Sequence, residues 1–288
     1  MGALRAGFVG LGYIGKLMAQ RLPAAGLETT VYDIAAEPVK ELVASGAKAG
    51  ASASEVAAAS DVVGVCVQTD EQVRTVVSAD DGLLAGAKPG LTVLVHSTVP
   101  PATVQLLNAQ AAKQGVVVLD ACVSGNTRAA DPMFKLFVGG EAEQVEKVRP
   151  YLAAIAADRV IHTGALGTGC TAKICLNLIT YLQWTAAFEA NHLARAAGLS
   201  QEMMEQVGRS NGQLTDMMIS YLALFKMPAA ALKSDAMQHY LSTQLHNAEK
   251  DLACALQLAR ESGVSLPGAA LASQIMARLY SIEDPGKR

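Results

Sequence analysis

One short stretch near the start of the chain decides the fold: Leu4-Arg-Ala-Gly-Phe-Val-Gly-Leu-Gly-Tyr-Ile-Gly15. Its first half, up to Val9, is apolar and typical of a buried strand, and an amphipathic helical pattern follows from Lys16 to Ala25. The glycines have the G-x-G-x-x-G spacing of a dinucleotide-binding turn. Strand, glycine turn and helix in this order predict a Rossmann unit. The residues predicted to contact the dinucleotide in this turn are Gly10, Leu11, Gly12, Tyr13, Ile14 and Gly15.

Asp33 ends the second predicted strand, Thr29 to Asp33, and follows Gly10 by 23 residues. A carboxylate at this place in a Rossmann unit accepts hydrogen bonds from the adenosine ribose and repels a 2′-phosphate. The sequence therefore favours NAD over NADP as the cofactor. An exposed aspartate at a strand end, with no ligand, is the alternative interpretation.

Strands and helices continue to alternate after Asp33, which predicts an α/β fold with a doubly wound parallel sheet. Ligands bind at the carboxyl ends of such strands. This places Gln68-Thr69, His96-Ser97-Thr98 and the residues from Asp120 to Arg128 around a cleft. The strands are predicted at Val62–Val67, Leu91–Val95, Val116–Leu119, Lys135–Val138 and Val160–His162, and the helices at Glu37–Ala44, from Ser52, from Glu71, at Ala102–Lys113 and at Ala142–Ile155.

A long helix is predicted between Gly164 and Gly198. Gly164-Ala-Leu-Gly-Thr-Gly169 opens it, and the 28 residues from Cys170 to Ala197 contain neither glycine nor proline. Apolar side chains occur on nearly every face, which is typical of a helix covered on several sides. We therefore expect it to join a dinucleotide-binding domain, residues 1–163, to an all-α domain, residues 164–288. The remaining helices are predicted at Gln201–Arg209, Leu214–Phe225, Gln238–Glu261 and Ala269–Tyr280.

Two polar pairs stand out in this helical half. Lys173 and Asn177 lie four residues apart in the first turns of the long helix, and so on one face. A lysine beside an amide at a glycine-rich helix start can carry out proton chemistry, although a solvent-directed lysine next to a tolerated asparagine explains the same pattern. Lys250-Asp251 is a charged pair among leucines, either on a solvated face or in a site.

Composition excludes several classes of function. The 288 residues are 51% hydrophobic and 17% charged, with a formal net charge of −3 and no basic block, so we expect no nucleic-acid partner. The uncharged run Ile174–Phe188 is too short and too polar to span a bilayer, which predicts no membrane partner. Five cysteines lack metal-ligand and redox spacing. This predicts no metal site and reduced thiols in a cytoplasmic protein.

Four ordered motifs together resemble the β-hydroxyacid dehydrogenase family, over nearly the whole chain. They are Phe8–Ala19, Asp120–Gly125, Gly164–Asn177 and Lys250-Asp251-Leu252. The resemblance implies a Rossmann domain, a long connecting helix and an all-helical domain. It also implies an oligomer, which we expect to be a homodimer or homotetramer.

The same resemblance implies roles for single residues. Lys173 matches the catalytic lysine and Asn177 the asparagine that acts with it, while Ser124 and Gly125 match substrate-holding positions. Cofactor contacts are implied for Val67, Gln68, Thr98 and Lys250. This chain departs from the family pattern at Cys122 and Gln68, where proline is frequent, at Leu176, where a second asparagine is frequent, and at Asn126, where a second glycine is frequent.

The activity implied is reversible hydride transfer between NAD and a small 3-hydroxy acid, or its semialdehyde or keto form, with Lys173 as general acid and base. We hypothesise that Asn126 and Arg128 bind the anionic end of the substrate, because a guanidinium grips a carboxylate with two hydrogen bonds. An Arg128 that points to solvent or pairs with Asp131 is the alternative. Two other functions stay open: an imine reductase-like enzyme, which Lys173 disfavours, and a non-catalytic NAD-binding protein.

Overall fold

The computed structural model of this protein describes residues 4–125 and 133–282. The chain divides into two compact units, with the division between Lys173 and Ile174. In the described ranges the first unit combines a sheet with helices, and the second is helical. The α/β architecture predicted from the sequence is confirmed.

One sheet of eight described strands forms the centre of the first unit. The order of the strands in the sheet is β3-β2-β1-β4-β5-β6-β7-β8. Its first six strands have the Rossmann order, in which the direction of winding reverses between β1 and β4 and opens a crevice for a ligand. The strands are β1 Arg5–Val9, β2 Glu28–Tyr32, β3 Lys48–Ala49, β4 Val62–Val65, β5 Thr92–Val95, β6 Val117–Ser124, β7 Lys135–Gly139 and β8 Val160–Gly164.

The sheet departs from the all-parallel prediction at β6. This strand runs four residues further than Asp120, the position at which the sequence suggested that a cleft loop begins. It pairs with β7 in the antiparallel direction, with Cys122 opposite Phe137. The ten residues between Ser124 and Lys135 are too few for the crossover of about a dozen that a parallel pair needs.

Helices cover both faces of the sheet, as its continuous apolar strands require. Successive residues of β5 enter different clusters of buried side chains, Leu94 on one face and Val93 and Val95 on the other. Helices α1–α3, α8 and α9 cover the Leu94 face, and α4–α7 cover the other. Their bounds are α1 Tyr13–Ala19, α2 Arg21–Ala24, α3 Ala36–Ala44, α4 Ala53–Ala59, α5 Asp70–Ser78, α6 Leu83–Gly86, α7 Pro101–Ala111, α8 Ala142–Lys147 and α9 Arg149–Ala156.

The prediction of a single helix at Ala142–Ile155 is wrong. This segment forms two helices, α8 and α9, and Val148 between them does not have helical backbone angles. Pro150, near the start of α9, explains the break, because proline has no N–H to donate to the preceding turn and is tolerated only at a helix start.

The second unit consists of helices that pack against one side of α10. Tyr181, Ala187 and Phe188 of α10 are buried in its core, whereas Ile179 is 52% exposed and Leu193 72% exposed. Within this chain, the helix is covered on the side of Tyr181 and Phe188 and exposed on the face of Ile179 and Leu193. The helices are α10 Thr168–Ala196, α11 Gln201–Ser210, α12 Asp216–Leu222, α13 Ala229–Leu232, α14 Asp235–Glu261 and α15 Pro267–Leu279. Within the described ranges, no helix combines the length and the apolar character needed to cross a bilayer.

The place of His96 directly after β5 suggested that its side chain faces the cleft. In the structure it does not. It is 1% exposed, and its ring stacks between those of Phe8 and Tyr151 at centroid distances of 5.7 and 6.2 Å. Burial lowers the pKa of His96 to about 4, so the ring is neutral at pH 7. Its Nδ1–H then donates to the backbone oxygen of Ala121 at 2.7 Å.

We predict that acid destabilises the protein through His96. Its pKa in the folded state, about 4, lies below the ordinary value of 6.5. Between these values the unfolded chain binds the proton that the folded chain does not, so the free energy of unfolding falls as the pH decreases from about 6.5 to about 4. The total loss is at most about 3 kcal/mol.

His96→Asn can still donate to Ala121 but does not titrate. Urea unfolding followed across this pH range should show a flatter dependence in His96→Asn than in the native chain. The control His246→Asn removes an exposed histidine and should keep the native slope. Equal slopes in all three proteins would contradict the assignment.

Candidate active site

The glycine turn after β1 has the geometry that a dinucleotide needs. Gly10 has φ +92°, and a Cβ there would lie 2.4 Å from the backbone oxygen of Cys66, which follows β4. A Cβ at Gly15 would lie 2.0 Å from the oxygen of Gly10, whereas one at Gly12 would meet no described atom within 4 Å. Gly10 and Gly15 therefore permit close packing at the crevice between β1 and β4, and Gly12 leaves its approach open.

Helix α1 begins directly at this open position. Gly12 is its N-cap residue, and no described side chain caps its first turn. Leu11 is buried, whereas Tyr13 and Ile14 are 63% and 38% exposed. The start of a helix attracts anions through its N–H groups and its dipole. The predicted glycine turn therefore fits the pyrophosphate of a dinucleotide.

Asp33 lies beside the same turn. Its carboxylate accepts hydrogen bonds from the backbone N–H groups of Leu11, at 2.5 Å, and of Ala35, at 2.8 Å. The side chain is thereby held at the end of β2, next to the crevice. The structure brings Asp33 and the glycine turn together, as a ribose-binding carboxylate requires.

The turns after β4 and β5 are joined by a hydroxyl that the sequence did not single out. Ser97 is 6% exposed; its Oγ accepts from the backbone N–H of Val67 at 2.9 Å and donates to the Val67 oxygen at 2.7 Å. Gln68, which follows Val67, is exposed, and its backbone N–H donates to Gln72 Oε1 at 2.9 Å. Val67, Gln68 and half-buried Thr98 thus occur on adjoining turns at the carboxyl ends of neighbouring strands.

A buried carboxylate fixes the start of α10. Asp120 of β6 is 0% exposed, and its two oxygens accept from the backbone N–H groups of Gly167 and Cys170, each at 2.8 Å. The close packing needs Gly169, because a Cβ there would lie 2.4 Å from the backbone oxygen of Phe137. Sequence reasoning placed Asp120 in a loop. Gly167 and Gly169 indicate close packing at the start of α10. They do not indicate which acidic residue accepts hydrogen bonds from that helix start.

One face of β6 carries Ser124, a predicted site residue, together with the residues that contact the start of α10. Asp120, Cys122 and Ser124 alternate along the strand, and alternate residues share a face. Cys122 Sγ lies 3.7 Å from Cys170 Sγ, and Lys173 follows on the next turn of α10. Ser124 thus shares a face of β6 with the two residues that contact α10 just before Lys173. Gly125 also packs tightly, since a Cβ there would lie 2.7 Å from the backbone oxygen of Met133.

The two thiols of this contact are buried. Their hydrogen bond, together with burial, raises the pKa of the Cys170 thiol well above its ordinary value. Protonated thiols at this position act as small apolar side chains. Asn126 and Arg128, the predicted anion-binding residues, lie outside the described residues.

In the second unit, Asn177 and Lys250 share a partner that the sequence did not assign. Asp251 is 6% exposed; one of its oxygens accepts from Asn177 Nδ2 at 2.6 Å, and the other from Lys250 Nζ at 2.8 Å. Tyr181 donates its hydroxyl to the first oxygen at 3.0 Å. The interpretation of Lys250-Asp251 as a solvated charged pair is therefore wrong for Asp251.

Family models match both units. The model described as the NAD binding domain of 6-phosphogluconate dehydrogenase matches residues 5–165. The model described as NAD-binding of NADP-dependent 3-hydroxyisobutyrate dehydrogenase matches residues 167–286. The chain belongs to the β-hydroxyacid dehydrogenase family. The resemblance carried by the four sequence motifs is thus confirmed.

Similar proteins cover most of the chain. The 2-(hydroxymethyl)glutarate dehydrogenase of Eubacterium barkeri is 32% identical over 275 residues, 95% of this chain and 88% of the relative. The NAD-dependent L-serine dehydrogenase of Pseudomonas aeruginosa is 37% identical over 203 residues, 70% of this chain and 68% of the relative. A solved structure of Mycobacterium tuberculosis 3-hydroxyisobutyrate dehydrogenase with L-serine has a TM-score of 0.81 and 28% identity, covering 97% of this chain and 94% of that one.

This β-hydroxyacid dehydrogenase is an oxidoreductase with NAD as its cofactor. Its Rossmann domain and helical C-terminal domain have the family's arrangement along the chain. The glycine turn, the uncapped start of α1 and the carboxylate of Asp33 fit the cofactor on the geometry of the chain itself.

We predict that Asp120→Asn destabilises the protein by about 1–3 kcal/mol, because an amide has one acceptor oxygen for two buried N–H donors. Urea unfolding measures the loss. The control Asp61→Asn makes the same change at a half-exposed carboxylate, which accepts from the N–H and side chain of Arg5, and should cost less. Equal losses of unfolding free energy in the two variants would show that Asp120 stabilises the protein no more than a half-exposed aspartate does.

Proposed function

We propose that this enzyme transfers a hydride reversibly between NAD and a small 3-hydroxy acid, or the corresponding semialdehyde or keto acid. The observation that carries the proposal is the packing of the start of α10 on β6. Lys173 follows the turn of α10 that is held there, and Ser124 lies on the same face of β6 as Asp120 and Cys122. A proton carrier next to a hydroxyl and a glycine-containing turn is the arrangement that alcohol oxidation requires.

NAD, when bound, supplies the hydride chemistry. The turn from Gly10 to Gly15 would hold its pyrophosphate, and Asp33 would accept hydrogen bonds from the adenosine ribose. The other proposed cofactor contacts are Val67, Gln68, Thr98 and Lys250.

Lys173 would move the proton that accompanies the hydride. In the reducing direction its ammonium group donates a proton to the carbonyl oxygen of the substrate. In the oxidising direction its neutral amine accepts the proton of the substrate hydroxyl. Asn177, one turn further along α10, would hydrogen-bond the same substrate oxygen. Ser124 Oγ and the N–H of Gly125 would bind the substrate carboxylate.

The named substrates of two relatives indicate the substrate class. L-serine and 2-(hydroxymethyl)glutarate each have a hydroxymethyl group on the carbon that bears a carboxylate, and they differ in the other group on that carbon. We expect the substrate of this enzyme to have the same 3-hydroxypropanoate core. Binding of a further anionic group by Asn126 and Arg128 stays a prediction, as do the homodimer or homotetramer and the cytoplasmic location.

A panel of 2-substituted 3-hydroxypropanoates and their semialdehydes, with NADH absorbance as the readout, tests the activity. With the best substrate of that panel, we predict that Lys173→Ala lowers kcat by roughly 10²–10⁴-fold, the usual contribution of a general acid or base. NADH binding, measured by fluorescence titration, should persist.

The control Lys113→Ala removes an exposed lysine of the same unit and should leave kcat unchanged. Native turnover in Lys173→Ala would reject Lys173 as the proton carrier. Activity of the native enzyme on cyclic imines, with none on hydroxy acids, would favour the imine reductase-like alternative.

We also predict that Asp33 gives the preference for NAD. Asp33→Asn removes the charge that would face a 2′-phosphate while retaining an oxygen that can accept from Leu11 or Ala35. The ratio of kcat/KM with NADH to that with NADPH should fall by about fivefold or more, because one like-charge contact is worth about 1 kcal/mol even in water. Asp80→Asn, at an exposed position, is the control. An unchanged ratio in Asp33→Asn would place the discrimination elsewhere.

A further inference from the structure

Three donors converge on the nearly buried carboxylate of Asp251. Asn177 Nδ2 and the Tyr181 hydroxyl both donate to Oδ2, at 2.6 and 3.0 Å, and Lys250 Nζ contacts Oδ1 at 2.8 Å. Asn177 and Tyr181 are four residues apart on α10, so both approach from one face of that helix. Asp251 and Lys250 lie on α14. The carboxylate therefore ties two helices of the second unit together.

The chemistry of this contact fixes the orientation of the Asn177 amide. An ionised carboxylate only accepts hydrogen bonds, so the amide must turn its Nδ2, and not its oxygen, towards Asp251. Both oxygens of Asp251 act as acceptors here, Oδ2 from Asn177 and Tyr181 and Oδ1 from Lys250. Burial and the charge of Asp251 raise the pKa of Tyr181 well above its ordinary value, so its hydroxyl stays a donor. The amide oxygen Oδ1 of Asn177 is thereby left to face a donor other than Asp251.

We propose that Asp251 is a positioning residue, which acts through Asn177 by holding its amide oxygen ready to accept a hydrogen bond from the substrate hydroxyl or the Lys173 ammonium. The inference rests on the proposed function, in which Asn177 and Lys173 act on the substrate oxygen. If the amide were free to flip, an N–H group would face those donors for part of the time, and the hydrogen bond would be lost.

The first test is Asp251→Asn, which keeps the size of the side chain but can accept or donate, so it no longer fixes the amide of Asn177. We expect kcat to fall by about 10²-fold, the cost of a small misplacement in an active site. The Kd for NADH, from fluorescence titration, should change by a smaller factor than kcat, because Lys250 is the one proposed cofactor contact that Asp251 binds among the described residues. The matched control Tyr181→Phe removes the other donor to Oδ2 and leaves the Asn177 contact, so its kcat should stay near native.

A double-mutant cycle distinguishes positioning from a general structural role. If Asp251 acts through Asn177, adding Asp251→Asn to Asn177→Ala should lower kcat by no more than about threefold further, since the two residues form one unit. A purely structural Asp251 would give the full loss in both backgrounds, together with weaker NADH binding. Should Asp251→Asn lower the thermal midpoint strongly, Asp251→Glu, which keeps the charge and shifts the carboxylate by one methylene, replaces it in the same cycle.

The outcomes separate this inference from the proposed function. The positioning role and the proposed function are both supported if Lys173→Ala and Asp251→Asn each lose turnover and the Asp251 effect is absent in the Asn177→Ala background. Loss in Lys173→Ala with native kcat in Asp251→Asn overturns only the role of Asp251. Native kcat in Lys173→Ala overturns the proposed function itself. A full Asp251 effect that persists without Asn177 also overturns the positioning role.

Discussion

The hydrogen bonds from the start of α10 to the carboxylate of Asp120 are the constraint on which the arrangement of the first unit depends. A helix start leaves backbone N–H groups without partners and carries a partial positive charge. Here two of those groups are buried, so each needs an acceptor inside the protein, and one side chain on β6 supplies both. These bonds hold the first turn of α10 against β6 within the first unit. Glycines at 139 and 169 leave the necessary room, since a Cβ at either would lie within 3 Å of an Asp120 oxygen.

Acidic side chains organise three parts of this chain in the same way, by accepting hydrogen bonds from neighbouring N–H groups. Asp120 holds the start of α10, Asp33 holds the backbone of the glycine turn, and Asp251 holds the amide of Asn177. A carboxylate suits this purpose because it cannot donate, so every group that it binds is fixed in one orientation. Only 17% of the residues are charged. In a chain of this composition, a nearly buried aspartate is strong evidence that a local geometry is being held.

Much of the fold was predictable because its signals are local. The G-x-G-x-x-G turn, the alternation of strands and helices, and the long run without glycine or proline each act within a few turns of chain. The errors have a different origin. The break at Val148 follows from a proline inside an otherwise periodic helix, and the extension of β6 depends on pairing with a later strand. The partners of Asp120 and Asp251 in α10 or directly before it lie 47 to 74 residues away in sequence, so no pattern of spacing within a single element could identify them. Helical spacing indicated Lys173 and Asn177 as a possible proton-transfer pair, whereas their specific roles, and Ser124 altogether, came from the family resemblance, whose motifs record such long-range contacts indirectly.

Two of these hydrogen-bonded contacts flank Lys173 along α10. Within α10, the N–H of Cys170 is bound to Asp120 and the amide of Asn177 is bound to Asp251. Lys173 lies between them, three residues after the first and four before the second. A lysine side chain is long and has several rotatable bonds, so its amine can be placed accurately only if the backbone that carries it is immobile. Asp120 restrains the turn of α10 before Lys173 within the first unit, and Asp251 restrains the turn after it within the second. A residue that must exchange a proton with one particular oxygen gains most from this arrangement, because proton transfer requires hydrogen-bond distance in every turnover.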